Sequence, residues 1–248
     1  MTIKGSVALI TGAAQGMGRA CVDALLDAGA EKILAVDLNP TESQDPRVVP
    51  IQCDITDEDA VRELLAGTEE AVQVLVNCAG MYRFREGLDI STQDWDLAFA
   101  INLRAPFQLM KHTSKRLIDE KLPGAFVNFA SIAGKRGFPN QADYCSSKAG
   151  LIGLTRAAAL DLGPHGITVN AVAPGTVDTP MMDNVITDLM AITGLAEQDQ
   201  RNELTKDIPI GRMQTPQEIA SAVAFLTSAP ARAITGETLV VDGGLTRD

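Results

Sequence analysis

A phenol, an ammonium and a hydroxyl stand in this sequence at a spacing that can move a proton. Tyr144 and Lys148 lie four positions apart in a helical pattern, so they share one face of a helix, and the intervening Cys145-Ser146-Ser147 are small. Ser131 follows a short apolar run ending at Ala130, and the loop Gly134-Lys135-Arg136-Gly137 is supple enough to bring it beside that helix. Asn102, in the preceding helical region, is placed to sit beneath them. A tyrosine with a pKa near ~10 must drop by ~2 to 3 units to act as a base near neutrality, roughly 3 to 4 kcal/mol. An ammonium about 4 Å away, at an effective dielectric of ~20, supplies on the order of 4 kcal/mol. The expected chemistry is proton transfer.

A second constellation points to a nucleotide. The apolar run Val7 to Thr11 leads into Gly12-Ala13-Ala14-Gln15-Gly16-Met17-Gly18, and a helical pattern follows at once. A strand-to-helix turn of this kind aims unpaired backbone N–H groups and the positive end of a helix at one point, which suits a pyrophosphate. Gly12 would permit the turn, Gly16 a close approach and Gly18 tight helix packing; the spacing is not the G-x-G-x-x-G pattern. Asp37 ends the second apolar run, 19 residues after Gly18, where a carboxylate can accept hydrogen bonds from an adenosine ribose. It would repel a 2′-phosphate, and neither Leu38 nor Gln15 supplies a compensating cation, so NAD is expected over NADP. Asp54 either bonds the adenine amino group or serves as a turn residue before Ile55-Thr56. Asn77-Cys78-Ala79-Gly80 ends the fourth run with residues small enough for backbone to approach the ribose. Met17, Leu38 and Ile55 are assigned to the same groove.

The elements that must position these groups alternate. Strands are expected near Val7 to Thr11, Ile33 to Asp37, Val48 to Cys53, Val74 to Asn77, Ala125 to Ala130, Thr168 to Ala173 and Thr238 to Asp242, with helices starting near Gly16, Asp57, Thr92, Ala142 and Pro216. Short β-branched runs separated by helical patterns predict an α/β fold, a doubly wound parallel sheet covered by helices on both faces. Thr56 before Asp57 and Thr215 before Pro216 are start signals. Leu38 to Arg47, with Pro40 and Pro46, is too short for a crossover helix. No linker, repeat or low-complexity tract interrupts residues 1–248, so one domain is expected. The methionine-rich segment from Asp178 to Asp207 is either a helical insertion packed into the core or a lid over a substrate, and its place after the sixth strand favours the lid.

Composition narrows the function classes. Of 248 residues 46% are apolar and 21% charged, which fits a chain with a substantial core. The net charge of −11 supplies no basic footprint for nucleic acid. No apolar stretch reaches the ~18 residues of a membrane span, and the start has no signal layout, so a cytoplasmic protein without a membrane association is expected. Four dispersed cysteines and two histidines indicate neither disulfides nor a metal site. Cys78 and Cys145 are read as buried thiols rather than redox sensors. His112 and His165 are placed as surface or turn residues, and Trp95 as packing.

In combination, Thr11-Gly12-x-x-x-Gly16-x-Gly18, Asn77-x-Ala79-Gly80, Ser131 with Tyr144-x-x-x-Lys148 thirteen residues later, and Pro174-Gly175 resemble the short-chain dehydrogenase/reductase family, in its branch of about 250 residues. The resemblance runs to Val240-Val241-Asp242-Gly243-Gly244. It implies a seven-stranded Rossmann sheet, a catalytic tetrad of Asn102, Ser131, Tyr144 and Lys148, a nicotinamide carboxamide held at Val177 and Thr179 beside Pro174 and Gly175, and a homotetramer or dimer. On that footing Tyr144 takes the alcohol proton, Ser131 bonds the same oxygen, Lys148 lowers the tyrosine pKa and bonds the ribose, and Asn102 holds a relay water. Cys78 departs from the second Asn, and Met17 from the Ile, that many members carry.

The substrate is less defined. Arg83, Arg85, Lys135 and Arg136 would form a cationic rim favouring a hydroxy acid, or are solvated loop charges paired with Glu86 or Asp89. The short second crossover is similar to a branch that includes 3-hydroxybutyrate and deoxy-sugar-acid dehydrogenases, yet Gln141 replaces an Arg that some of them carry. Asn140 and Gln141 suit hydroxyl recognition on a polyol or sugar, and Met181 is a further candidate contact. Rival readings are a 3-ketoacyl thioester reductase, which normally uses NADP, and a non-catalytic NAD-binding sensor, which would not need the Ser131, Tyr144 and Lys148 set.

Overall fold

The computed structural model describes residues 3–39, 42–84 and 88–246. Its centre is a seven-stranded sheet in the order β3-β2-β1-β4-β5-β6-β7, parallel throughout. The strands are β1 (Val7–Thr11), β2 (Lys32–Asp37), β3 (Val48–Gln52), β4 (Val72–Asn77), β5 (Gly124–Phe129), β6 (Ile167–Pro174) and β7 (Thr238–Val241). Each matches an expected strand to within two residues at either end. The helices are α1 (Gly16–Asp27), α2 (Glu58–Ala66), α3 (Thr92–Phe99), α4 (Ala105–Asp119), α5 (Ala142–Leu162), α6 (Pro180–Thr193), α7 (Glu197–Thr205) and α8 (Pro216–Leu226).

Alternation along each strand sorts side chains into two cores. Ala8 and Ile10 of β1, Ile33 and Ala35 of β2, and Val74 and Val76 of β4 pack on the side of α1 and α8. Val7 and Leu9, Leu34 and Val36, and Val72 and Leu75 face the opposite side, against α4. A period of two with both faces apolar is what helices on both faces require. Among the described residues, no helix lies between β2 and β3, as the short connection dictated, and no helix is long and apolar enough to cross a membrane.

The helix starts follow local chemistry. Thr215 caps α8, its side chain accepting from Glu218 N while Glu218 reaches back, a complete capping box. At α2 the expected Thr56 is not the cap. Asp57 takes that place, accepting from the Asp59 and Ala60 N–H groups. Three helices had no start signal in the sequence reading: α4, α6 and α7. The first is hidden because α3 continues through a π-helical turn, Ala100–Arg104, into α4 without a break. Such turns re-aim side chains and are frequent at functional sites.

Close packing of α1 on the first loop sets a sharp test. A methyl added at Gly18 would lie 1.9 Å from the Gly12 carbonyl oxygen, whereas one at Gly153, on an exposed face of α5, would meet nothing within 4 Å. Gly18→Ala should lower stability by about 1–3 kcal/mol through overpacking, and Gly153→Ala should raise it by about 0.5–1 kcal/mol through helix propensity. Urea unfolding of both variants measures the contrast.

Candidate active site

Strand order reverses between β1 and β4, and the crevice beyond their C-terminal ends is where open α/β sheets bind ligands. Backbone packs on backbone there. Thr11 Oγ1 accepts from the N–H groups of Cys78 and Ala79, both at 3.1 Å, and pins the β4 loop beside the glycine turn. A Cβ at Gly12, whose φ is +69°, would meet Ala79 Cα at 2.9 Å. The N-cap of α1, Gln15, offers no side-chain acceptor to the first turn, so its N–H groups are left to face outward.

These elements line a cavity of about 360 Å³ that gathers Gly12, Gln15, Gly16, Met17, Gly18, Asp37, Leu38, Asp54, Ile55, Ala79 and Gly80. The Asp37 carboxylate is anchored by two backbone donors, Ala14 N at 3.0 Å and Asn39 N at 2.9 Å. Asp54 accepts from Thr56 N at 2.9 Å and Thr56 Oγ1 at 2.7 Å, the turn arrangement left open by the sequence. Asn77 does not line the cavity. Its buried amide donates to Asn128 Oδ1 at 2.8 Å, and Asn128 donates to Thr155 Oγ1 at 2.9 Å, so this residue ties β4 to β5 and α5. Asn39, Met81 and Ile101 line the cavity and escaped the sequence reading; Ile101 sits on the π-helical turn, invisible to a pattern of period 3.6.

A second cavity, also about 360 Å³, adjoins the first, and Met17, Thr179 and Met181 line both. Ser131, Tyr144, Asn140, Gln141, Pro174, Gly175 and Val177 line it as expected, while Tyr82, Phe84, Phe138, Val185, Leu189 and Leu204 were not anticipated. Asn140 holds a left-handed φ of +62° at the turn into α5. Arg83 is absent from this lining: its guanidinium pairs with Asp94 at 2.8 Å. Arg136 lies over the Phe138 ring at 4.6 Å, and Arg85 and Glu86 fall outside the described residues. Of the cations among the described residues, Arg83, Lys135 and Arg136 do not line the cavity.

The segment after β6 folds into α6 and α7, which roof this cavity through Val185, Leu189 and Leu204. Arg201 of α7 pairs with Glu197 at 2.9 Å, Asp183 of α6 at 2.6 Å and Asp178 of the preceding loop at 3.2 Å. One guanidinium thus ties both roof helices to the loop that carries Val177 and Thr179.

The Ser131, Tyr144 and Lys148 set converges. Ser131 Oγ accepts from Ala133 N at 3.1 Å, and Ser131 and Tyr144 line the same cavity. Lys148, buried, donates from Nζ to the Phe129 carbonyl at 2.6 Å, with Nζ 5.7 Å from the Tyr144 ring centroid. Burial pulls the Lys148 pKa down to about 8. Burial also raises the Tyr144 pKa, outweighing the opposing influence of Ser131. The expected lowering of the phenol pKa is therefore not achieved by Lys148 within the chain. The ammonium is turned to a carbonyl, and desolvation penalises the phenolate. Asn102 is fully engaged by protein: Oδ1 accepts from Met81 N at 2.9 Å, and Nδ2 donates to Met81 O at 3.0 Å and Ser147 Oγ at 3.1 Å. It braces the β4 loop against α5. Burial pushes the Cys78 thiol up to about 12, the opposite of a reactive cysteine. His112 Nε2 meets Glu58 Oε1 at 2.8 Å, joining α4 to α2.

Comparison with known proteins agrees with this geometry. A family model described as enoyl-(acyl carrier protein) reductase matches residues 12–246. A short-chain dehydrogenase/reductase of Armillaria gallica is 36% identical over 262 residues, covering 99% of this chain and 97% of its own. The (3R)-3-hydroxyacyl-CoA dehydrogenase of Rattus norvegicus and the galactitol 2-dehydrogenase of Agrobacterium fabrum are each 34% identical, covering 99% and 98% of this chain and 98% of each relative. Among solved structures, a putative 2-deoxy-D-gluconate 3-dehydrogenase from Agrobacterium tumefaciens with bound NADP superposes with a TM-score of 0.86 at 30% identity, covering 98% of this chain and 97% of the other. A 4-hydroxyisoleucine dehydrogenase complexed with NADH gives 0.88 at 29%, covering 98% and 99%. Fold and site together define an oxidoreductase built on a Rossmann sheet. The chain belongs to the short-chain dehydrogenase/reductase family.

The buried ammonium generates a pH test. With a pKa of about 8 folded against 10.5 unfolded, Lys148 holds fewer protons in the native state between those values, so stability rises with pH across that window. Below it the charge is buried at a cost of about 3 kcal/mol. Chemical unfolding of the parent and of Lys148→Met should show the parent gaining about 3 kcal/mol relative to the variant between about pH 7 and pH 10.5.

Proposed function

We propose that this chain interconverts a secondary alcohol and its ketone using a nicotinamide dinucleotide, with NAD preferred over NADP. The observation that carries this reading is that Ser131 and Tyr144 line one cavity, which shares Met17, Thr179 and Met181 with the glycine-lined groove.

The residues present fit the cofactor. The uncapped N-terminus of α1, reached through Gly12 and Gly16 with φ of +69° and +56°, is a cradle for a pyrophosphate. Asp37 would accept from the adenosine ribose, with Asp54 and Ile55 toward the adenine and Ala79 and Gly80 beneath the sugars. The carboxylate would repel a 2′-phosphate, and the exposed Leu38 beside it brings no cation. Pro174, Gly175, Val177 and Thr179 would hold the carboxamide. When bound, the nicotinamide accepts or returns a hydride and in its oxidised form adds one positive charge beside the site.

The chain's own residues handle the proton. Ser131 bonds the substrate oxygen and fixes the reacting carbon. Tyr144 removes the hydroxyl proton in oxidation and returns it in reduction. Lys148 reaches the nicotinamide ribose and supports the phenolate, whose pKa the chain alone leaves high; Asn102 positions the loop and α5 around them. The α6–α7 roof serves as the lid. The substrate is a small alcohol or ketone of the polyol, sugar or hydroxy-acid kind, and reduction of a 3-ketoacyl thioester is a second reading that the apolar roof favours. Exposed Phe107 on α4 and Leu160 on α5 suit association into a dimer or tetramer.

Tyr144→Phe should lose at least about a thousandfold in turnover while NAD binding, followed by fluorescence, changes less than twofold; retained turnover sinks the assignment. Asp37→Asn should raise the KM for NAD by about tenfold or more and narrow the preference over NADP, as expected for loss of a charge-assisted hydrogen bond worth ~1.5–3 kcal/mol. Light scattering should return the mass of a dimer or tetramer.

A further inference from the structure

The lining of the substrate cavity combines a cluster of polar side chains with an apolar roof. Ser131, Asn140, Gln141 and Tyr144 all come from the stretch between β5 and the first turn of α5. The roof is hydrocarbon: Val185 and Leu189 stand one turn apart on the same face of α6 and Leu204 joins them from α7. Ile186, 2% exposed, anchors α6 between them, and the Arg201 pairs fix α7 to α6. Phe84 and Phe138 extend the apolar wall.

No aspartate, glutamate, lysine, arginine or histidine occurs among the described residues that line this cavity. Arg83 is spent on Asp94, and Arg201 on three carboxylates. A carboxylate entering here would be stripped of water with no cationic side chain among the described lining residues to pair with it, and a chain of hydroxyls laid against Val185 and Leu189 would lose its hydrogen bonds. Tyr82 does not supply the missing charge. Its ring stands edge-on to Tyr144 at 5.3 Å, and burial pushes its pKa up to about 12, so its hydroxyl stays neutral.

We propose that this cavity takes an uncharged secondary alcohol or ketone bearing an apolar arm of several carbons, and that Val185 and Leu189 are the residues that select for the arm. The inference rests on the reading of Ser131 and Tyr144 given above and replaces its open choice of substrates with one class. The carbinol sits against the polar stretch and the arm lies under α6. A free alcohol and a 3-hydroxyacyl thioester present the same chemistry to the roof, and the thioester differs in continuing past the cavity mouth.

The test uses the full chain with saturating NAD and follows NADH formation from the alkan-2-ols of four to eight carbons, from galactitol, from 3-hydroxybutyrate and from the N-acetylcysteamine thioesters of 3-hydroxy acids. Each added methylene should raise kcat/KM about fourfold, the equivalent of ~0.8 kcal/mol of buried hydrocarbon. Leu189→Gln, at a half-buried position, should flatten that slope, lowering kcat/KM for the eight-carbon alcohol several-fold more than for the four-carbon one. Higher kcat/KM for the thioesters with the same dependence on chain length upholds the inference and identifies a carrier-bound substrate. A flat slope, or faster turnover of galactitol or 3-hydroxybutyrate than of the neutral alcohols, overturns it. Thermal shift by the matching ketones on Tyr144→Phe with NADH bound reads the cavity without chemistry. A shift that grows with chain length upholds the apolar site even if no alcohol turns over, in which case only the catalytic reading fails; a shift independent of chain length overturns the inference.

Discussion

Backbone lying on backbone at the strand switch is the constraint from which the site follows. Gly12 approaches Ala79 so closely that a side chain is excluded, and α1 lies so near the glycine turn that Gly18 can carry none. Thr11 Oγ1 closes the contact by accepting from two N–H groups of the β4 loop. Because these contacts are made by main chain, they hold the crevice open at a width set by peptide geometry rather than by rotamers, and the first turn of α1 keeps its donors directed into it. The same β4 loop, braced through Met81 by Asn102, carries this rigidity toward α5 and hence to Tyr144 and Lys148.

Electrostatics at the proton-handling groups oppose the fold. Burial disfavours the charged forms of both Lys148 and Tyr144, and the ammonium is turned to the Phe129 carbonyl. A group poised this way titrates under the influence of whatever charge arrives next to it. The π-helical turn contributes by geometry. Without its extra residue, Asn102 would rotate off the face that meets Met81 and Ser147.

Much of this was legible in the sequence because it is periodic or punctuated. Seven β-branched runs announced the sheet, and the glycines of the first turn, Asp37 and the Tyr144-x-x-x-Lys148 spacing announced the two cavities. What escaped was whatever depends on tertiary placement. The π-helical turn breaks the 3.6 period that a helix reading assumes, so α3 and α4 merged and Ile101 went unseen. Asn77 was placed at the groove from its strand-end position, yet strand direction turns its amide into the sheet toward Asn128. Of the two readings of the loop cations, Arg83 follows the paired one, although its carboxylate is Asp94, eleven positions away, and not Glu86 or Asp89. The segment after β6 drew notice for its methionines, yet Val185, Leu189 and Leu204 line the cavity beside Met181 and Met182.

Lys148 also bears on how such a chain would drift. A residue that lowers stability where it stands, and is kept for what it does, has no structural reason to survive once that work is no longer under selection. Substitution to an apolar side chain of similar length would relieve the burial of charge and leave the sheet, the glycine turn and both cavities intact. In a duplicated copy relieved of catalysis, this position should be among the first to change.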